Sequence, residues 1–372
     1  MPRILFICAH APTERYPQAG QKIALKHLEN YITAGVKIDV VVIANQVEIT
    51  AATDLASLAG IYLYNYPIKK IDKIFSCLTH VCTPWKFATR WQNAVCKKLL
   101  YLLQQNTYDV IHFEYSHAAV YLKYVKQLIS SQSSKIIISI HDLNFQSFLR
   151  KSRNNLLFGI EAARLFHYER SLYSAANELW VLSQKDRDIL NSLFGLPETK
   201  ILIKPPKLSN FVYQVQRHPT KIEKNSLLFW AAMNRPENEQ AILTFINKCF
   251  TSLQQQEPKF KLYIVGASPS KKVLALASQQ IIVTGFVEDP TPYFEQAEIG
   301  IVPLLQGAGI KLKTLEMLAA GLPVIATTVG AEGVDATDNN LTVNDNLDEW
   351  LSLLRNYDYT SHTSPNNISG IG

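Results

Sequence analysis

Two doubly wound α/β domains, each a parallel sheet covered by helices on both faces, are the fold class this sequence predicts. Three observations carry that expectation. At 372 residues and 47% hydrophobic content, the chain exceeds the size at which a single core usually keeps growing. Short apolar runs alternate with helix-spaced segments from residue 3 onward, and the alternation restarts near residue 226. Between the two series, Pro205, Pro206 and the polar run 209–225 break the pattern. The expected division is therefore a first domain at 1–205, a linker at 206–225, a second domain at 226–345, and a closing helix and tail at 346–372.

In the first domain, the apolar run 3–9 reads as a strand and 10–20 as a polar loop. Residues 21–34 form a helix ended by Gly35, and 38–44 the next strand. Strand, helix and strand at this spacing make a βαβ unit, whose ligand edge lies where loops leave the strand C-termini. That places the loop 10–20 at a cleft, with Gly20 either admitting close backbone approach by a ligand or fitting a turn. Strands at 109–114 and 135–140 deliver Glu114, Tyr115, His117, His141 and Asp142 to the same edge. Asp186 and Asp188 form a D-x-D, a pattern able to hold a metal, but they follow Ser183 in the first turn of a helix. Capping is the preferred reading there.

Composition excludes several function classes. Five cysteines lie scattered, with neither zinc-finger spacing nor a C-x-x-C pair, and suit a reducing compartment. The first apolar run is too short for a signal peptide, and no run of about 18 apolar residues suggests a membrane span. Residues 1–205 carry 24 Lys and Arg against 15 Asp and Glu, so the net charge of +6 is concentrated in the first domain. No zinc finger, RNP-like motif or base-reading basic helix accompanies that charge, so nucleic acid is not an expected partner. Within 62–103, aromatics interleave with Lys69, Lys70, Lys73, Lys86, Arg90, Lys97 and Lys98 against the single acid Asp72. Such a segment is either a solvated face over an ordinary core or a patch that rests on an anionic bilayer.

The second domain starts with a strand at 227–232, a helix at 237–253 and a strand at 260–265. A strand at 281–284, a helix containing Tyr293 and Phe294, and a strand at 299–303 follow. The segment 307–333 then reads as loop, helix, turn and strand. Gly309 opens a helix at Ile310, Gly321 and Pro323 end it, and 323–327 is a short strand. On that helix Lys313 and Glu316 share a face, while Lys311 sits in the first turn beside backbone N–H groups that lack intrahelical partners. Two lysines at a helix N-terminus oppose its dipole, which calls for either solvent or an anionic ligand.

Gly307, Gly309, Lys311, Lys313, Leu315, Glu316, Gly321, Pro323, Val324, Gly330, Glu332 and Gly333 together resemble the donor-site segment of GT-B glycosyltransferases of the family-four type. The resemblance extends over about residues 3–345 and is strongest across 226–333. It implies two Rossmann-like domains facing a cleft. The implied reaction is retaining transfer of a sugar from a nucleotide diphosphate sugar to a hydroxyl of a surface glycan or lipid-linked acceptor. Neither cofactor nor metal is expected, and the implied location is cytoplasmic, peripheral on the inner face of the membrane. By resemblance, Lys311 and Lys313 face the diphosphate and Glu316 binds the ribose, with Gly307, Gly309, Ile310, Leu315, Val287 and Arg235 completing the donor site. His141 lies near the transferred sugar, and Gly20, Glu114 and Tyr115 on the acceptor side. Two departures stand out. The loop AAMNRPEN offers only Arg235 where relatives carry a glycine-rich loop with Arg and Lys, and Ala308 occupies the first position of the E-x7-E motif of other relatives. A nucleotide-sugar epimerase of the same fold and a catalytically silent scaffold are the alternatives.

Overall fold

The computed structural model describes residues 2–15, 19–129, 133–335 and 337–357. The chain divides after Pro206 into unit 1, Met1–Pro206, and unit 2, Lys207–Gly372.

Unit 1 is built on seven parallel strands: β1 (Arg3–Cys8), β2 (Lys37–Ala44), β3 (Ile61–Pro67), β4 (Val110–Glu114), β5 (Lys135–Ile140), β6 (Glu178–Val181) and β7 (Ile201–Ile203). Their order is β3-β2-β1-β4-β5-β6-β7, so the order reverses between β1 and β4. Ligands of such sheets bind beyond the strand C-termini at that reversal, which is where β1 ends at Cys8 and β4 at Glu114. Of the expected loop 10–20, residues 16–18 lie outside the described residues and Gly20 falls in the helix Ala19–Thr33. β1 and β2 are nearly continuous apolar runs because both of their faces are covered.

The edge strand β3 is the element the sequence hid inside the basic aromatic segment. Its burial alternates, and its tyrosines pack beneath cations. The Lys98 ammonium lies 3.6 Å from the Tyr64 ring centroid, and the Arg3 guanidinium 5.8 Å from that of Tyr62. Trp91 stacks on Tyr121 at 5.1 Å, and Arg90 is buried. For Tyr64, Trp91 and Arg90 ordinary packing is the correct reading, whereas Tyr62 remains about half exposed. At the far end of the unit, Ser183 Oγ accepts from the Asp186 backbone N–H at 3.2 Å and begins the helix Gln184–Ser192. Asp186, buried in the first turn, accepts from the Ser183 hydroxyl at 2.7 Å, while Asp188 is exposed.

Unit 2 has six parallel strands: β8 (Glu223–Trp230), β9 (Lys261–Val265), β10 (Ile281–Gly285), β11 (Ala297–Val302), β12 (Val324–Ala326) and β13 (Leu341–Val343). The order β10-β9-β8-β11-β12-β13 reverses between β8 and β11. Much of the expected linker packs onto this unit. Val212 is buried, Ser209 bonds to Glu316, and Arg217 Nη1 donates to the Ala297 carbonyl at 2.8 Å. The closing helix, Trp350–Arg355, buries Trp350, and the expected tail from residue 358 lies outside the described residues. Among the described residues no helix is long and apolar enough to cross a membrane.

Candidate active site

The loops that leave β8 and β11 flank the strand-order reversal of unit 2, and the residues singled out in 307–333 follow β11 in its loop, the helix Leu312–Ala319, β12 and the turn after it. Gly307 and Gly309 take φ of 114° and 74°, a region that glycine enters without steric cost. With Lys311 extended at φ −98° and ψ 85°, the helix begins at Leu312 and runs to Ala319, two residues later than the expected start at Ile310.

That shift changes the role of Lys311. The residue is 7% exposed, and Nζ donates to the carbonyls of Ala308 at 3.1 Å and Gly309 at 2.5 Å and pairs with Glu332 Oε2 at 3.1 Å. Its backbone N–H bonds the Glu332 carbonyl at 3.0 Å. An ammonium has three donors, so Lys311 braces the glycine loop from within instead of presenting its charge to a diphosphate as expected. Ile310 is wedged against Gly333, where a Cβ would come within 2.9 Å of the Ile310 side chain.

Lys313 is different. It is half-buried, Nζ donates to Asn238 Oδ1 at 2.5 Å, and the ammonium sits 5.6 Å from the Phe229 ring centroid. Burial first, then repulsion from Arg235 and Lys311, lowers its pKa from 10.5 to about 7, with Glu237 opposing. Arg235, exposed at the start of the helix Pro236–Phe245, pairs with Glu237 at 3.2 Å. Leu315 and Val287 are half-buried beside this framework.

Glu316 also departs from expectation. It is buried, not an exposed helix-face carboxylate. Oε1 accepts from the Ser209 hydroxyl at 2.6 Å and backbone N–H at 3.2 Å, and Oε2 from the Trp230 indole at 2.8 Å. Glu316 thus pins the segment entering unit 2 to the end of β8.

In unit 1 the residues expected on the acceptor side do come together, around Glu114 at the end of β4. This fully buried carboxylate accepts from His141 Nε2 at 2.6 Å and His27 Nδ1 at 3.0 Å, and His112 Nε2 lies 3.1 Å away. Burial alone would raise its pKa, but His27 and the imidazole hydrogen bonds outweigh that and hold it well below the usual carboxylate range. His141 turns Nε2 to Glu114, and its buried Nδ1 has no partner among the described residues. Tyr115 stacks on His141 at 3.9 Å. A Cβ on Gly20 would lie 2.7 Å from the Tyr115 hydroxyl and 3.1 Å from His141 Nδ1, so only glycine leaves room here.

Sequence reasoning placed His117 at this edge but missed the other polar groups behind the cluster. His10 Nδ1 bonds Glu48 at 2.9 Å, while Arg90 donates to its Nε2 at 3.0 Å. Burial and the Arg90 charge push the His10 pKa down to about 4. Gln21 Oε1 and His117 Nε2 are, like His141 Nδ1, buried without a partner among the described residues. Such orphaned atoms are costly unless a ligand satisfies them. Glu48 and Arg90 are distant in sequence, and only the arrangement of the sheet reveals them. Ligand atoms of His27, His112 and Glu114 fall within 4.8 Å of one another, as a metal would need. They already satisfy each other, however, with Tyr31 and Ser139 completing His112.

Known proteins match both units. Residues 37–206 match the Glycosyltransferase Family 4 model, and residues 224–356 the Glycosyl transferases group 1 model. The chain belongs to the family-four GT-B glycosyltransferases. The fold of this glycosyltransferase agrees with that of the Anabaena HepE protein, solved in complex with UDP and glucose, at TM-score 0.60 and 14% identity over 95% of this chain and 88% of that one. It also agrees with sucrose-phosphate synthase from Thermosynechococcus elongatus, at TM-score 0.63 and 15% identity over 95% and 89% of the two chains. An uncharacterized 44.6 kDa protein in the cps region of Klebsiella pneumoniae is 28% identical over 168 residues, 41% of this chain. The match spans 42% of that relative's length.

Proposed function

We propose that this glycosyltransferase moves a sugar from a nucleotide diphosphate sugar to a hydroxyl of a surface-glycan or lipid-linked acceptor, with retention of anomeric configuration. The observation that carries the reading is Lys313, held beside Arg235 at the strand-order reversal of unit 2 with its pKa drawn down to about 7. Cations clustered at such a cost are stabilised when an anion joins them. As the sugar–phosphate bond breaks, negative charge grows on the departing diphosphate. Lys313, Arg235 and the first N–H groups of the helix Leu312–Ala319 would stabilise it, while Lys311 keeps the glycine loop in shape. The leaving phosphate would take the acceptor proton, so the reaction needs neither a protein base nor a metal. In unit 1, the lone pair on His141 Nδ1 accepts a hydrogen bond from a sugar hydroxyl, and Glu114 fixes the tautomer that makes this possible.

The complex of HepE with UDP and glucose favours a uridine donor, and the relative from a cps region favours a glycan acceptor. A cytoplasmic enzyme working at the inner face of the membrane fits that acceptor. Titration with UDP and other nucleoside diphosphates tests the donor half directly. The reading requires one of them to bind wild type and to bind Lys313→Gln more weakly.

A further inference from the structure

The helix Lys70–Thr79 presents Ile71, Ile74, Phe75 and Leu78 at the spacing of one helical face, and all four are more than half exposed. A core-facing helix buries such a stripe. Here only Ser76 of the helix is buried. Lys69, Lys70 and Lys73 flank the stripe, against the single acid Asp72, which caps the helix by accepting from the Lys69 N–H at 2.9 Å. A second apolar lobe stands next to it. Leu156, Leu157 and Ile160, in the first turns of the helix Leu156–Ser174, are likewise more than half exposed. The preceding segment carries Arg150, Lys151 and Arg153 and no acid. The two lobes are joined through Glu161, which accepts from the Trp85 backbone N–H and from Arg164 Nη1 at 2.7 Å, while Arg164 Nη2 donates to the Thr83 carbonyl at 3.2 Å.

The structure assigns this double lobe as a membrane-docking surface that inserts its apolar side chains shallowly into an anionic bilayer. An exposed apolar stripe rimmed by Lys and Arg matches the boundary between acyl chains and anionic headgroups. A second copy of the chain fits less well, since pairing two such faces would oppose two basic rims. The inference rests on the proposed reading only in that a lipid-linked acceptor gives docking a purpose. It differs from adsorption by the whole segment 62–103, because Tyr64, Tyr66 and Arg90 are at least half-buried in packing.

The test is flotation of the full chain with phosphatidylcholine vesicles, with and without phosphatidylglycerol, in low and high salt. Wild type should float with the anionic vesicles and retain part of its binding in high salt. Ile74→Ser/Phe75→Ser/Leu78→Ser and, independently, Leu156→Ser/Leu157→Ser should each weaken binding by about tenfold or more. Unchanged UDP binding by these variants separates lost docking from a lost fold or a failed donor site. If wild type stays unbound, floats equally with neutral vesicles, or floats no better than the serine variants, the assignment is overturned. It is equally overturned if wild type is a dimer that the serine substitutions dissociate.

Discussion

Binding of a nucleoside diphosphate should draw a proton from solution, and Lys313 is the group that takes it up. With a free-enzyme pKa of about 7, the ammonium is about half protonated at pH 7 and about one-tenth protonated at pH 8. A diphosphate against Nζ offsets both the burial and the repulsion by Arg235 and Lys311, so the pKa rises on binding. Binding at pH 8 should therefore take up about 0.9 proton per site, and affinity should fall about fivefold from pH 7 to 8 and about tenfold from 8 to 9. The terminal phosphate, whose last ionisation lies near pH 6, is already deprotonated across that range. Calorimetric titration of UDP at pH 8 in buffers of different ionisation enthalpy reads the uptake as a slope. Lys313→Gln should abolish both the slope and the pH dependence. A wild-type slope near zero, or the same slope in Lys313→Gln, would refute the account of Lys313 as the diphosphate's partner.

Further expectations follow from the same contacts. Lys313→Met removes a half-buried ammonium whose cost is largest below pH 7 and fades as pH rises from 7 toward 10.5, so it should raise Tm at pH 7 while weakening nucleotide binding. An unchanged or lower Tm would contradict that. Glu316→Ala should destabilise unit 2 by about 1–3 kcal/mol, since it leaves the Trp230 and Ser209 donors unpaired. Urea titration by Trp fluorescence checks this, and wild-type stability would show the clasp to be energetically idle. In unit 1, Glu114→Gln should lower kcat about 10- to 100-fold by releasing the His141 tautomer, and Gly20→Ala should do likewise by forcing Tyr115 and His141 apart. For either variant a normal kcat with an intact fold counts against the His141 role. Turnover should survive excess EDTA, whereas loss that manganese restores would reinstate a metal.

Most of the fold was legible because both units repeat one grammar. Buried parallel strands such as RILFIC and KIIISI show as apolar runs, and Gly35 and Gly321 mark helix ends where they were expected. β3 was not legible, since an edge strand with alternating tyrosines and nearby lysines looks like a surface segment until Lys98 and Arg3 are seen over the rings. At the site, residue types and spacing correctly grouped Gly20, Glu114, Tyr115 and His141, which meet where β4 and β5 end and the helix Ala19–Thr33 begins. The same reasoning misjudged Lys311 and Glu316. A motif shows that a charge is present, but whether it faces solvent or a buried partner depends on Glu332, Ser209 and Trp230, which lie 21 to 107 residues away in sequence and are brought near only by the fold.

Release of nucleoside diphosphate from a panel of nucleotide sugars, measured with wild type and Lys313→Ala, tests the central claim most directly. The account predicts that wild type turns over at least one donor, slowly with water as acceptor, and that Lys313→Ala loses about 10²- to 10³-fold in kcat at saturating donor while remaining folded. If wild type turns over no donor and binds no nucleoside diphosphate, or if Lys313→Ala keeps a normal kcat with only a raised KM, the leaving-group role of Lys313 is contradicted.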